Sequence, residues 1–139
     1  MTITNSDAQR RFNGNPAASP EAIRDFEEST GLKLPTDYKE LLRRTNGGEG
    51  FIGEESYLIL WKVEDLEEFN REYEVGDYCN GLLLVGSRGG GEAYGFDTRQ
   101  TQWPVVQVPF VGMDHSLVQD IGWSFKEFLT TLEQMKGSA

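Results

Sequence analysis

Apolar residues recur at helical spacing in four stretches of this chain, and each recurrence predicts an amphipathic helix. The first helix has clear boundaries, because Ser19 can cap it, Pro20 suits its first position, and Gly31 can take the left-handed conformation that ends it. The last helix begins with the capping box Ser124-x-x-Glu127. The four apolar stripes are Ile23 and Phe26; Tyr38, Leu41, Leu42 and Thr45, after Pro35; Leu66, Phe69 and Tyr73; and Phe125, Phe128, Leu129 and Leu132.

Shorter apolar runs, bounded by charged or turn residues, predict strands between these helices. Residues 57–61 and 82–85 are continuous apolar runs, residues 92–97 alternate, and prolines limit residues 105–108. Residues 114–122 have room for one more short strand. Strands between helices at both ends predict an α+β fold, in which a central, mostly antiparallel sheet carries flanking helices in a single domain.

The N-terminal residues differ in composition from the rest of the chain. Residues 1–18 mix Asn, Gly, Ser and Pro with little periodicity, so they are predicted to form a flexible or weakly ordered arm. The α+β domain is therefore expected to span residues 19–136. The chain of 139 residues has the size of one domain and buries enough surface to fold without a metal or a disulfide.

Negative charge is concentrated in the middle of the chain. The net charge is −10, and residues 49–77 carry −8 of it, with ten acidic and two basic residues. Such a field repels nucleic acids and anionic membranes and attracts basic partners, although it also suits a face that only keeps the protein in solution. The acidic residues predicted to bind a partner are Glu54, Glu55, Glu64, Asp65, Glu67, Glu68 and Glu72.

Three motifs resemble catalytic or ligand-binding sites, and each has a simpler structural interpretation. The glycine-rich residues 86–91 lack the Lys-Ser/Thr of a phosphate-binding loop and precede a strand, so they predict a hairpin turn. Asp114, His115 and Ser116 are consecutive, which does not suit the geometry of a catalytic triad. Asp97 can be a base or a metal ligand, but Asp-Thr after a strand favours a turn. We therefore predict no catalytic residue, no metal site and no cofactor.

The cysteine and tryptophan residues are predicted to be structural. Cys79 is the single cysteine, which excludes an intrachain disulfide, and a buried thiol is favoured over a reactive one. Trp61, Trp103 and Trp123 lie in or beside apolar segments, so core packing is favoured over a role as interface anchors. The N-terminus lacks the apolar region of a secretory signal, and no apolar run approaches the length of a membrane span, so a cytoplasmic location is expected.

Three motifs, in order along the chain, resemble the SUKH superfamily, and within it the SMI/KNR cell-wall assembly regulator type. They are LPTDYKELLRRTNGG, GGGEAYGFD and IGWSFKEFL, and the resemblance spans about residues 19–132. It implies an α+β domain with a mostly antiparallel sheet. The matching positions are Leu34, Pro35, Tyr38, Asn46, Gly47 and Gly48; Gly90, Gly91, Glu92, Tyr94 and Asp97; and Ser124, Phe125, Phe128 and Leu129.

The resemblance also implies a function that depends on binding a protein. Bacterial members of the superfamily are implied to be immunity proteins that neutralise toxins, often nucleases or deaminases, whereas fungal members resemble regulatory adaptors. Together with the acidic segment, this predicts a non-enzymatic, cytoplasmic inhibitor that binds a basic toxin domain. An adaptor for an endogenous protein is the alternative, and a small ligand-binding domain or enzyme is a third.

Overall fold

Seven strands form one sheet, in which the neighbours in space are also neighbours along the chain. In the computed structural model, which describes residues 12–135, every pair of adjacent strands is antiparallel. The predicted α+β fold with an antiparallel sheet is thereby confirmed. The strands are β1 (Phe12–Gly14), β2 (Gly48–Ile52), β3 (Ser56–Leu60), β4 (Leu82–Ser87), β5 (Glu92–Asp97), β6 (Val105–Pro109) and β7 (Gln119–Gly122).

Five α-helices accompany the sheet within the described part of the chain, and none of them has the length and apolar character needed to cross a membrane. The predicted caps are present: the Ser19 hydroxyl accepts a hydrogen bond from Ala22 N–H at 3.0 Å, and the Ser124 hydroxyl accepts one from Glu127 N–H at 3.1 Å. Gly31 has φ 74°, as expected for the residue that ends a helix. The helices are α1 (Pro20–Thr30), α2 (Thr36–Leu42), α3 (Leu66–Glu72), α4 (Val75–Tyr78) and α5 (Phe125–Gln134).

The two faces of the sheet belong to different apolar cores. The first core lies between the sheet and helices α1, α2 and α5, where the Tyr38 ring meets Phe96 and Phe125 edge-on at centroid distances of 5.3 and 5.0 Å. The second core lies on the opposite face, where Val75 of α4 and Cys79, directly after α4, pack against β4–β6. Strands β4–β6 are therefore buried on both faces, which explains why residues 82–85 read as one continuous apolar run.

The structure differs from the predicted N-terminal arm at residues 12–18. Phe12 is only 3% exposed and inserts into the first core, and β1 pairs with β2. Ala18 is also buried, and its N–H donates to the carbonyl of Leu42 at 2.8 Å. A strand of three residues with one apolar side chain leaves no periodicity in the sequence, so the pattern failed to show it. Residues 1–11 and the predicted end at residue 136 lie outside the described residues.

Strand β2 was missing from the prediction, and α2 is shorter than predicted. Strand β2 contains Gly48 and Gly50, which made it resemble a turn. Helix α2 ends at Leu42, so Thr45 does not extend its stripe. Instead, the Thr45 hydroxyl donates to the backbone carbonyls of Asn15 and Gly47 at 2.9 and 3.0 Å, and this fixes the loop that leads into β2.

Candidate functional site

Half of the negative charge of the middle region, −4 of −8, is carried by a short helical stretch, residues 63–72, here called the acidic segment. It begins as a 3₁₀ turn, Val63–Asp65, and continues as α3, so the predicted single helix is present with a tighter first turn. Val63 and Leu66 are fully buried in the first core. Two apolar anchors thus hold one side of the segment, and the side chains of Glu64, Glu67, Glu68 and Glu72 are exposed.

Asn46 positions the start of the acidic segment. Its side chain is buried, and its Oδ1 accepts a hydrogen bond from Val63 N–H at 2.9 Å. Its Nδ2 donates to Glu64 Oε1 at 2.7 Å. The backbone of Asn46 in turn receives Asn15 Nδ2 at 3.0 Å and donates to the Pro16 carbonyl at 2.9 Å. One asparagine therefore connects the N-terminal residues, the loop after α2 and the acidic segment, which is a structural role for a residue of the first motif.

The carboxylates of the acidic segment fall into two groups. Glu64 binds Asn46, and Glu67 Oε2 accepts a hydrogen bond from the Ser29 hydroxyl on α1 at 3.0 Å. By contrast, no described residue makes a hydrogen bond or ion pair with the side chains of Asp65, Glu68 and Glu72. Glu68 and Glu72 are exposed and Asp65 is half-buried. These three carboxylates thus differ from Glu64 and Glu67, which connect the segment to Asn46 and to α1.

Glu54 and Glu55 lie at another place in the fold. They follow Gly53 in the tight turn between β2 and β3, at the far end of the hairpin from the acidic segment. Gly53 lies against the backbone of Glu133 in α5, so this turn contacts the C-terminal helix. The hairpin of five paired residues separates the two places by about 13 Å. The seven predicted residues therefore do not form one continuous group.

Asp97 has a structural role of the kind predicted from its turn sequence. Its Oδ1 accepts from the backbone N–H and the Nε of Arg99 at 3.1 and 2.9 Å, and its Oδ2 accepts from Arg99 Nη2 at 2.9 Å and Gln100 Nε2 at 3.1 Å. The hydrogen bonds from Arg99 lower the pKa of Asp97 to about 2, against the opposing effect of burial. A carboxylate with four donors and a low pKa is a poor general base.

Asp114, His115 and Ser116 lie together on an exposed turn. His115 is exposed on a 3₁₀ turn, and Asp114 Oδ2 accepts from the N–H and hydroxyl of Ser116 at 2.8 and 2.6 Å. Cys79 is fully buried in the second core, and burial raises the pKa of its thiol. Among the residues that the structure describes, no cluster of three or more His, Cys, Asp and Glu side chains has a metal-binding arrangement.

The glycine-rich residues form the hairpin turn that was predicted. Arg88 N–H donates to the Glu92 carbonyl at 3.1 Å, which closes the connection between β4 and β5. Gly89 has φ 93°, a conformation that L side chains rarely adopt. The turn thus needs its glycines for backbone geometry.

The prediction for the tryptophans is wrong at one position. Trp61 and Trp103 are half-buried against the first core, as expected. Trp123 is 64% exposed and lies just before α5. Its backbone N–H donates a hydrogen bond to the Glu127 carboxylate at 2.7 Å. Glu49 is a further acidic residue that the predicted partner-binding set did not include. It lies on β2, and its Oε2 accepts a hydrogen bond from the Tyr57 hydroxyl at 2.6 Å. The alternation of exposed Glu49 with buried Gly50 is typical of a strand, but the glycines made this stretch resemble a turn.

Comparison with known proteins identifies relatives along most of the chain. A model of the SMI1/KNR4 family (SUKH-1) matches residues 17–131, a range that includes the three motifs described above. The chain is also similar to the uncharacterized protein YnaB of Bacillus subtilis (strain 168), with 36% identity over 91 residues. That alignment covers 66% of this chain and 58% of YnaB, so the chain spans less than two thirds of the length of this relative.

Proposed function

Because the chain belongs to the SMI1/KNR4 family (SUKH-1), we propose that it is a protein-binding domain of the immunity type, which neutralises a basic toxin by binding it directly. In this proposal the protein acts by occupying its partner, without catalysis. We place the activity in the cytoplasm, where the thiol of the single cysteine, Cys79, stays reduced.

The observation that carries the proposal is the group of available carboxylates on the acidic segment. Asp65, Glu68 and Glu72 have no hydrogen-bond or ion-pair partner among residues 12–135, and they follow one another at helical spacing. Nucleases grip phosphates with basic surfaces, and a row of carboxylates on a rigid element presents a comparable ligand. Long-range attraction also speeds the encounter of the two proteins, and this acceleration falls as salt screens the charges.

The test is a comparison of two charge reversals with the same change in net charge. Glu68→Lys with Glu72→Lys alters the proposed surface, whereas Glu40→Lys with Asp120→Lys alters exposed acidic residues on α2 and β7. Each variant is immobilised, exposed to lysate of the source organism at low and moderate salt, and the retained proteins are identified. A retained basic polypeptide is then expressed alone and with each variant.

We expect the wild type and the control to rescue growth and the acidic-segment variant to fail. Because each charge reversal at a contact costs on the order of 1–2 kcal/mol, the affinity of the variant is expected to fall by roughly a hundredfold. Retention of a non-toxic cellular protein instead supports the adaptor. Equal affinity of both variants, with unchanged salt dependence, identifies the acidic segment as a solvated face only.

A further inference from the structure

The outer face of strands β1–β3 is only partly covered by the described residues, of which Gly89 lies against the Tyr57 ring. On this face, opposite the first core, Phe51 and Tyr57 form a cross-strand pair with ring centroids 5.1 Å apart, and Phe51 is 40% exposed. Ile59 is directly opposite Glu49 and is half-buried. Helix α4 and the second core cover only β4–β6. Partly exposed apolar side chains on a sheet face are a feature of binding surfaces.

An open groove of about 400 Å³ runs between this face and the acidic segment. Ile59, Trp61 and Phe69 supply its apolar surface, and Glu49 and Asp65 also line it. Glu49 comes from the sheet and Asp65 from the helical segment, so two different elements supply the carboxylates of the groove. The other lining residues are Asn13, Asn15, Gly48, Leu60 and Lys62.

The aromatic residues of the groove are held in place by their neighbours. Trp61 meets the Phe69 ring edge-on at a centroid distance of 5.0 Å and lies nearly parallel to Tyr73 at 6.1 Å. Tyr73 in turn contacts Phe110 at 4.5 Å. Four rings from three separate chain segments therefore support one another, which reduces the entropy that a ligand must overcome when it orders them.

We propose that this groove receives an arginine side chain from an exposed segment of the partner protein. The inference rests on the proposed function and names the surface and the chemistry of the contact. A guanidinium group stacks on an indole ring and donates hydrogen bonds to carboxylates in its plane. Trp61 supplies the ring, and Asp65 supplies a carboxylate that no described residue binds. Glu49 supplies a second carboxylate, which accepts a hydrogen bond from the Tyr57 hydroxyl. Among the described residues that line the groove, Lys62 is the one cation beside the two carboxylates, so their summed charge is negative.

The probe is a short peptide, acetyl-Ala-Arg-Ala-Arg-Ala-amide, titrated into isotope-labelled protein and followed by NMR. The three tryptophan indole signals act as internal reporters, since Trp61 lines the groove and Trp123 is exposed elsewhere. The matched probe has glutamine in place of arginine. We expect saturable shifts at the Trp61 indole and at groove amides, an unmoved Trp123 signal, and no binding of the glutamine peptide.

Two pairs of variants complete the test. Glu49→Gln with Asp65→Asn keeps the shape of the groove and removes its charge, and is expected to weaken arginine-peptide binding by about tenfold. Glu40→Gln with Asp120→Asn removes the same charge elsewhere and is expected to change affinity by less than about twofold. Shifts spread over all acidic surfaces, equal effects of the two pairs, or no shift at millimolar peptide would overturn the groove assignment.

Failure of the groove and failure of the proposed function are distinguishable. If partner capture depends on Glu68 and Glu72 but not on Glu49 and Ile59, the binding function stands and the groove proposal is wrong. Ile59→Ser tests the apolar wall separately, with the amide spectrum as the check that the variant folds. If substitutions in neither the acidic segment nor the groove alter partner capture, the proposal that the acidic segment binds the partner is wrong.

Discussion

The side chain of Asn70 pairs with the backbone of Leu84 as a neighbouring strand would. Asn70 Nδ2 donates to the Leu84 carbonyl at 2.9 Å, and Asn70 Oδ1 accepts from Leu84 N–H at 2.8 Å. Strand β3 pairs with β4 only at Ser87 and Gly86, so the edge of β4 beyond them has no strand partner on this side. The carboxamide of α3 completes the hydrogen bonding of a strand that is otherwise buried.

Asn70→Ala is expected to lower the free energy of unfolding by about 1–3 kcal/mol, because it leaves the N–H and carbonyl of Leu84 without partners. Urea denaturation followed by circular dichroism measures the change. Asn80→Ala is the control, since Asn80 is exposed and makes no side-chain hydrogen bond to a described residue, and its effect should stay within about 0.5 kcal/mol. Equal losses in both variants would show that the Asn70 pairing contributes little.

The ion pair of Asp97 and Arg99 predicts a pH dependence of stability. Asp97 is 2% exposed, and its pKa in the folded protein is about 2, below the value of 3.8 for an unperturbed aspartate. The ionised carboxylate therefore stabilises the fold above pH 4 by up to about 2 kcal/mol, and this contribution is lost as the pH falls towards 2. The stability difference between wild type and Asp97→Asn should be largest near pH 7 and shrink with acidification.

Asp120→Asn provides the comparison for that profile. Asp120 is exposed on β7 and has no ion pair among the described residues, so its substitution should leave the pH profile of the wild type unchanged. A constant difference between wild type and Asp97→Asn from pH 7 down to pH 2 would contradict the role of the charge.

Tyr38 carries a buried hydroxyl that has no hydrogen-bond partner in the described structure. Burial between Phe96 and Phe125 raises its pKa. Tyr38→Phe removes the unsatisfied group and keeps the ring, so the free energy of unfolding should stay the same or rise by about 1 kcal/mol. Thermal unfolding measures this change in stability. Tyr57→Phe is the comparison, since it loses the hydrogen bond to Glu49 and should be slightly destabilising. A loss above about 1 kcal/mol in Tyr38→Phe would reveal an ordered partner for the hydroxyl.

Gly86 and Gly90 differ in the space around them, although both belong to the same glycine-rich stretch. A Cβ at Gly86 would overlap the carbonyl oxygen of Ile59 on the adjacent strand, whereas one at Gly90 meets no atom within 4 Å. Gly86→Ala should therefore separate β3 from β4 and cost several kcal/mol, and Gly90→Ala should cost less than about 0.5 kcal/mol. Chemical denaturation compares them, and equal stability of the two variants would refute the close approach of the strands.

The sequence predicted those elements whose stability depends on side-chain periodicity or caps. Ser124 and the stripe of α5 gave the last helix, and the apolar run of β4 gave a buried strand. Strands β1 and β2 were missed because backbone pairing and glycines define them, and neither leaves an apolar pattern. The candidate binding surface was predicted less well than the fold, since Glu54 and Glu55 lie close to the acidic segment along the chain but at the opposite end of a hairpin. Glu49 was hidden in the missed strand.

The order of the strands has a consequence for synthesis of the chain. Each strand pairs with the one before it, so the sheet can grow hairpin by hairpin as the polypeptide leaves the ribosome. Helix α5 emerges after all seven strands, yet it supplies Phe125 and Phe128 to the first core, and its Leu132 carbonyl accepts a hydrogen bond from the Ser56 hydroxyl at 2.6 Å. Until these ten residues arrive, the inner aromatic face of the sheet stays open to solvent. A translation product that ends before α5 should therefore aggregate, because the first core closes only when this helix has been made.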